Sequence, residues 1–250
     1  MQSNHSKNIR LYQNYKLYQN AIIEVTNDDH HYLRNVMRVK VNDELLIFNG
    51  LDGEWYSKVL IVKKDRIEIE VISCARLQIK YKEMHCYFSP LNANRHNYII
   101  EKLTELGIST FTPVITEFSN VRKVNQNKLR SRAKEAAEQC GLMIVPQINK
   151  AMGLDEILSD WSTEKTLVFC DEKSHPKNPI NELIGSKELN ISFLIGPEGG
   201  FSDKERYDIL KLQNLIRLSL GSRVLRADTA AIVVASFLQV TGGDLFSETQ

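Results

Sequence analysis

The stretch that decides the reading is ISFLIGPEGGFSDKE, Ile191 to Glu205. A short apolar run ends directly in Gly-Pro-Glu-Gly-Gly, and a helix begins after it. Glycine reaches positive φ without strain and lets a ligand approach the backbone closely, while proline stiffens the turn. Ser202, with Glu205 three residues on, is a capping box that starts the next helix. The order is strand, glycine loop, helix N-terminus, an arrangement that often holds a nucleotide. The phosphate-binding versions are missing: no GxxxxGK[ST] occurs, and GPEGG does not fit GxGxxG. Glu198, inside the loop, would repel a triphosphate. The loop therefore suits a ligand without a phosphate chain, the plainer alternative being a tight turn with no ligand.

A second loop has the same form. The apolar run IRLSLG ends at Gly221, and SRVLRADTA leads into an apolar helix. Arg223 and Arg226 there meet Asp228 and Thr229 at a helix start. Asp228 and Thr229 could simply be caps, and either arginine could simply pair with Asp228. Two glycine-ended strands with an arginine-rich turn read together as the walls of one pocket.

MHCYFSPL, STFTPVI and TLVFCDE join these two runs as short apolar strand candidates. Helical patterns alternate with them: HNYIIEKLTEL ending at Gly107, NKLRSRAKEAAEQC ending at Gly141, DKERYDILKLQ, and ADTAAIVVASFLQV. Glycine just past a helix is the common C-terminal signal. The alternation predicts a mostly parallel sheet covered on both faces, with ligands beyond the carboxyl ends of its strands.

The first 75 residues have another rhythm. DELLIFNG, GEWYSKVLIV and DRIEIEVIS alternate with period two, joined by Asn49-Gly50, Asp52-Gly53 and Lys64-Asp65 turns. They predict a small antiparallel β-barrel. Before it, DDHHYLRNVMRV predicts a helix capped by Thr26, with Asp29 three residues on and with Arg34 and Arg38 on one face. The expected division is a barrel over 1–75 and an α/β domain over 76–250.

Composition sets the limits. The chain has 250 residues, 42% apolar and 25% charged, which describes a globular protein and excludes a disordered one. No apolar run approaches the roughly 18 residues a membrane span needs. MQSNHSKNIRLYQNYK has no apolar leader, so a cytoplasmic protein is expected. Four widely spaced cysteines, Cys74, Cys86, Cys140 and Cys170, are expected as free buried thiols rather than metal ligands. No metal site is expected. Net charge is only +1, but Arg122, Lys123, Lys128, Arg130, Arg132 and Lys134 follow one another with no acid between. That run is either a solvated helix face or a contact for a polyanion.

LIGPEGGFSDKE followed by LGSRVLRADTA resembles the paired signature of the bacterial 16S rRNA uracil-N3 methyltransferases, members of the SPOUT superfamily. EKLTELGISTFTPV and EAAEQCG resemble two further motifs of that family in the right order, and HYLRNVMR resembles its N-terminal helix. The resemblance covers nearly the whole chain. It implies a PUA-like RNA-binding barrel, an α/β domain tied in a trefoil knot, a homodimer, and 16S rRNA of the small subunit as partner. It also implies S-adenosylmethionine as cofactor, held by the two glycine loops. Leu194, Ile195, Gly196, Pro197, Glu198, Gly199 and Gly200 would form one side, with Leu220, Gly221, Val224, Leu225 and Thr229 on the other. The sequence departs from the family pattern at Leu142 and Phe118, where arginine is usual, and near Asn94, where lysine is usual.

The implied chemistry needs a cation near the uracil carbonyls and an acceptor for the N3 proton. Arg226 and then Arg223 are the candidates for the first role, Glu198 and Asp228 for the second. Arg34, Arg38 and the run from Arg122 to Arg132 are the candidates for RNA contact. The residues leave two rivals open: a SPOUT relative methylating another rRNA or tRNA position, and a non-catalytic RNA-binding relative.

Overall fold

The computed structural model describes residues 9–174, 178–184 and 190–243. Residues 1–8, the start of the stretch searched for an apolar leader, lie outside the described residues. The chain divides into two compact units: Met1–Lys80 with Ala137–Val145, and Tyr81–Ala136 with Pro146–Gln250. No helix among the described residues is long and apolar enough to cross a membrane.

The first unit is a five-stranded sheet of β1 (Arg10–Tyr12), β2 (Ile22–Val25), β3 (Glu44–Phe48), β4 (Glu54–Val62) and β5 (Ile67–Arg76), in the order β1-β3-β4-β5-β2. Period-two patterning does its expected work in β5, where Ile67, Ile69 and Val71 are fully buried between outward glutamates. The β3–β4 turn is held by Asn49, whose Oδ1 accepts from the backbone of Leu51 and Asp52. Gly50 and Gly53 take up positive φ on either side. All pairings are antiparallel except β1 with β3. A parallel neighbour needs a long crossover, and the thirty-odd residues between β1 and β3 supply it.

The helix expected over DDHHYLRNVMRV is short. α1 spans only Asn27–His31, and a wide π-type turn continues over Tyr32–Met37. Arg38 ends it in the left-handed region, φ 58°. Residues four apart no longer stack in a π-type turn, so Arg34 and Arg38 do not share a helix face. Thr26 makes no side-chain cap, and Asp29 accepts instead from Gln13 Nε2 at 2.6 Å. Burial of Leu33 within the turn and of Val39 just past it favours this geometry over a regular helix.

The second unit opens with β6 (Met84–Phe88), α2 (Ala93–Glu105), β7 (Thr110–Ile115) and α3 (Gln126–Cys140). It continues through β8 (Gln147–Ile148), β9 (Met152–Gly153), α4 (Leu154–Ser159), β10 (Lys165–Cys170) and α5 (Pro179–Leu183). β11 (Asn190–Ile195), α6 (Asp203–Ile209), β12 (Leu215–Leu218) and α7 (Ala227–Gly242) complete it. The strands run parallel in the order β12-β10-β11-β6-β7-β8, with β9 also pairing β7. Phe169, Phe193 and Leu194 are buried, as strands covered on both faces require. Each such side chain contributes roughly 1.5–3 kcal/mol. Gly107 (φ 73°) and Gly141 (φ 90°) follow α2 and α3, where the sequence placed the helix ends. Burial is not shared by all four cysteines: Cys86 is buried, but Cys74 and Cys140 are exposed.

Because β12 pairs with β10 rather than with β11, β10 lies between the two glycine-ended strands. The carboxyl ends of all three face the same edge of the sheet. That edge carries the site.

Candidate active site

A cavity of about 460 Å³ opens beyond the carboxyl ends of β10, β11 and β12. From the first glycine loop, Ile195, Gly196, Pro197, Glu198 and Gly200 line it. From the second come Leu220, Gly221, Arg223, Val224, Leu225 and Arg226. The two loops expected to face one another thus do so across one cavity.

Four expected residues do not line it. Leu194 is only 2% exposed and packs with Phe169 and Ile209, because neighbouring strand residues point to opposite faces. Gly199 turns away, so that a Cβ built there would lie 3.2 Å from the Cβ of Phe118. Thr229 is exposed, its backbone donating to Asp228 Oδ1 at 2.9 Å. Asp228 is not part of the lining, and its Oδ2 lies 3.8 Å from Arg95 Nε.

The glycines have separate reasons. A Cβ on Gly196 would come within 2.5 Å of the Phe201 ring, which meets Phe169 edge-on at 5.4 Å. Gly200 closes the turn by donating to the Pro197 carbonyl and has φ 71°. Gly221 has open space about it but φ 100°, so its need for glycine is conformational. Ser202 and Glu205 form the capping box read from the sequence. Glu205 also accepts from the Glu117 backbone at 2.7 Å, which fixes the loop bearing Phe118 against Gly199.

A third wall was not read from the sequence. Phe169, Cys170, Asp171, Glu172 and Lys173 follow β10 into the cavity, and Arg95 enters from the first turn of α2. Asp171 is 3% exposed and accepts from Arg206 (3.1 and 2.9 Å) and Arg217 (3.1 and 2.8 Å). Burial alone would push its carboxyl up, but the hydrogen bonds from Arg206 and Arg217 prevail and hold it below the ordinary value. Burial pushes the Cys170 thiol up to about 12, so it is a neutral wall. TLVFCDE was legible as a strand; its acidic end, on the same sheet edge as the glycines, was the available signal. Arg95 had none.

Neither Arg223 nor Arg226 forms an ion pair among the described residues. Arg226 is exposed and serves as N-cap residue of α7, its carbonyl accepting from Ala230. Asp228 is met by Arg95 instead. Glu198 also pairs with Arg95.

The RNA-contact candidates are dispersed. Arg34 donates to the Lys63 carbonyl at 3.2 Å, and Arg38 is exposed. Arg122 donates to the Glu117 carbonyl and Arg130 to that of Ile148, while Arg132 pairs with Glu135 at 2.9 Å. Lys123 and Lys128 are exposed. Leu129, Ala133, Ala136 and Ala137 form the buried side of α3, which leaves Lys128 on the outer side.

Comparison with known proteins agrees with this architecture. A family model described as an RNA methyltransferase domain matches residues 78–239, and one for the RNA methyltransferase PUA domain matches residues 25–72. The chain is similar to the ribosomal RNA small subunit methyltransferase E of Rickettsia conorii, at 30% identity over 93% of this chain and 96% of the relative. It is similarly related to the protein of that name in Buchnera aphidicola subsp. Schizaphis graminum, at 32% over 94% and 97%. A Legionella pneumophila protein solved in complex with the cofactor SAM superposes with TM-score 0.85 at 27% identity, over 95% of this chain and 99% of that one. The Neisseria gonorrhoeae ribosomal RNA small subunit methyltransferase E shares the fold, with TM-score 0.86 at 24% identity over 96% and 99%. Both domains match in sequence order and the relatives align over nearly their whole length: the chain belongs to the RNA methyltransferase family of the ribosomal RNA small subunit methyltransferases E.

Proposed function

We propose that this protein transfers the methyl group of S-adenosylmethionine to N3 of one specific uridine in the 16S rRNA of the small ribosomal subunit. The observation that carries the reading is the cavity between two glycine-ended strands, at the sheet edge where ligands of such folds bind. Its walls fit a ligand with an adenosine but no phosphates. Glu172 and Glu198 line it; of its arginines, Arg95 and Arg206 already meet carboxylates, while Arg223 and Arg226 of the second loop do not among the described residues. Phe169, Ile195, Phe201 and Leu225 give it apolar surface. The backbone around Gly196, Gly200 and Gly221 would hold the cofactor. When bound, S-adenosylmethionine supplies a methyl group already activated by its sulfonium.

The chain's own task is alignment and the handling of one proton. Arg226, with Arg223 beside it, is the cation for the carbonyl oxygens of a uracil losing its N3 proton. Glu198, on the cavity wall, and Asp228, two residues on from Arg226, are the candidate acceptors of that proton. N3 lies on the pairing edge, so the target base must be unpaired or flipped.

The same reading divides the labour between an RNA-binding barrel over 1–75 and a cofactor-binding domain over 76–250. Arg34, Arg38 and the segment from Arg122 to Arg132 contact RNA, and exposed Lys123 and Lys128 are the cations best placed to do so. The chain is tied in a trefoil knot, a reading supported by β12 pairing with β10 past β11. It works in the cytoplasm in ribosome biogenesis, as a homodimer. Half-exposed Ile232, Val233 and Phe237 on an α7 that is apolar nearly all round support the dimer.

The test is mass spectrometry of nucleosides from small-subunit rRNA incubated with the protein and isotope-labelled S-adenosylmethionine. Labelled 3-methyluridine is the expected product. Label on a ribose or another base would refute the N3 assignment, and an absence of label would refute the enzyme.

A further inference from the structure

The two glycine loops follow β11 and β12, which are not neighbours in the sheet because β10 lies between them. No ladder hydrogen bond therefore joins one loop's strand to the other's. The link between them comes from outside. α2 follows β6, which flanks β11 on the side away from β10, and its first turn carries Arg95. The Arg95 backbone donates to its cap residue Asn92 at 3.2 Å, which fixes where the side chain starts. Its Nη1 meets Glu198 in the first glycine loop, and its Nε lies 3.8 Å from Asp228 Oδ2 at the end of the second. The Arg95 side chain is 23% exposed and that of Asp228 16%, while Glu198 is 51% exposed, so the Asp228 arm of the bridge is the one withdrawn from solvent.

We propose that Arg95 is a positioning residue for methyl transfer: it ties Glu198 to Asp228 and so holds the two walls of the cavity at the separation the cofactor requires. The proposal rests on the reading of this cavity as the S-adenosylmethionine site. Two carboxylates drawn to one guanidinium carry a net negative charge without it, and they would push the loops apart. The planar fork of arginine offers separate edges to two acids, which a lysine ammonium cannot match. Arg95 acts through Glu198 and Asp228. It also keeps their negative charge from reaching into the cavity unopposed.

The experiment is calorimetric titration of S-adenosylmethionine into wild type, Arg95→Ala, Arg95→Lys, Glu198→Gln and the Arg95→Ala/Glu198→Gln double variant, with single-turnover methylation alongside. Arg95→Ala should raise the cofactor Kd about tenfold, a usual size for coupling between linked elements. Arg95→Lys should recover part of that loss. The double variant should lose less than the sum of its parts, because both changes break one link. A purely structural role would lower the melting temperature of the ligand-free protein and leave Kd unmoved. If Arg95→Ala does not fold, Glu198→Gln and Asp228→Asn each remove one arm and should each raise Kd by a smaller step; neither doing so overturns the proposal. Wild type that binds the cofactor no better than Arg95→Ala does also overturns it. Wild type that binds none at all overturns the reading of the cavity, and the proposal with it.

Discussion

The two units each bury one carboxylate between two arginines, and the difference lies in what those arginines do next. In the first unit Glu54, on β4, is 2% exposed and meets Arg10 at 2.6 Å and Arg76 at 2.8 Å. Arg10 then donates to the carbonyls of Ala137, Glu138 and Leu142, and Arg76 to that of Gly141. Ala137 and Glu138 are in the last turn of α3, whose carbonyls have no helical partner, and Gly141 and Leu142 follow directly after it. In the second unit Asp171 holds Arg206 and Arg217, but Asp171 and Arg206 form part of a cavity wall. The first clamp satisfies a helix end. The second shapes a binding site.

A buried ion pair is weak evidence of net stability, yet removing one partner leaves the other's charge stranded. Glu54→Ala should therefore have the largest effect, about 3–5 kcal/mol in denaturant unfolding, since the Arg10 side chain is only 9% exposed. Arg76→Ala should cost no more than about 1 kcal/mol, because that side chain is 47% exposed. Equal losses in the two variants would show that burial of the partner arginine does not set the cost.

Arginines outside both clamps provide the opposite case. Arg226 is exposed and makes no ion pair among the described residues, so Arg226→Ala should leave stability nearly unchanged. Single-turnover methylation should nonetheless fall about a hundredfold to a thousandfold, with cofactor affinity within a few-fold of wild type. Full activity in that variant would remove Arg226 from the chemistry.

Asp171→Asn should come next. It keeps the shape but loses the charge, at about 1.5–3 kcal/mol, and it should also weaken cofactor binding because the wall moves. Glu54→Gln should not affect cofactor affinity in protein that remains folded. The pairing of those two results is the sharpest test that the clamps have different uses.

A graded effect of pH should complete the contrast. Burial lowers His85 and His96 to about 4, with Lys165 adding to it at His85. Between the unfolded value of 6.5 and about 4, the unfolded chain binds more protons, so stability must fall as pH falls through that window. The Asp171 pKa is depressed below 3.8, so its contribution persists above 3.8 and disappears as pH falls through the depressed value. Melting temperature against pH should show the two stages in that order. His85→Gln combined with His96→Phe should flatten the first; a profile that kept it intact would assign the titration elsewhere.

Much of this molecule is determined by short-range physics, and that part was legible in the sequence. Gly107, Gly141, Gly200 and Gly221 mark positive φ, a property of the residue itself, so the helix ends and glycine loops fell where they were read. Ser202 and Glu205 cap a helix within four residues of chain, and that too could be read directly. Local reasoning failed where a distant contact outweighed it. The helix expected to align Arg34 with Arg38 gave way to a π-type turn as Leu33 and Val39 were buried, and Thr26 did not cap it. Leu194, in β11, and Gly199, in the loop after it, do not line the cavity: Leu194 packs with Phe169 and Ile209, and Gly199 lies against Phe118. Arg95, Asp171 and Glu54 acquire their roles from partners far along the chain, from 22 residues for Arg76 on Glu54 and 35 for Arg206 on Asp171 to over a hundred for Glu198 on Arg95. The sequence alone settles which backbone can turn, cap and bury, because those energies are set by neighbours along the chain. Which charges meet was decided only by the order of strands in the sheet, because the pairing of ions depends on distance in space.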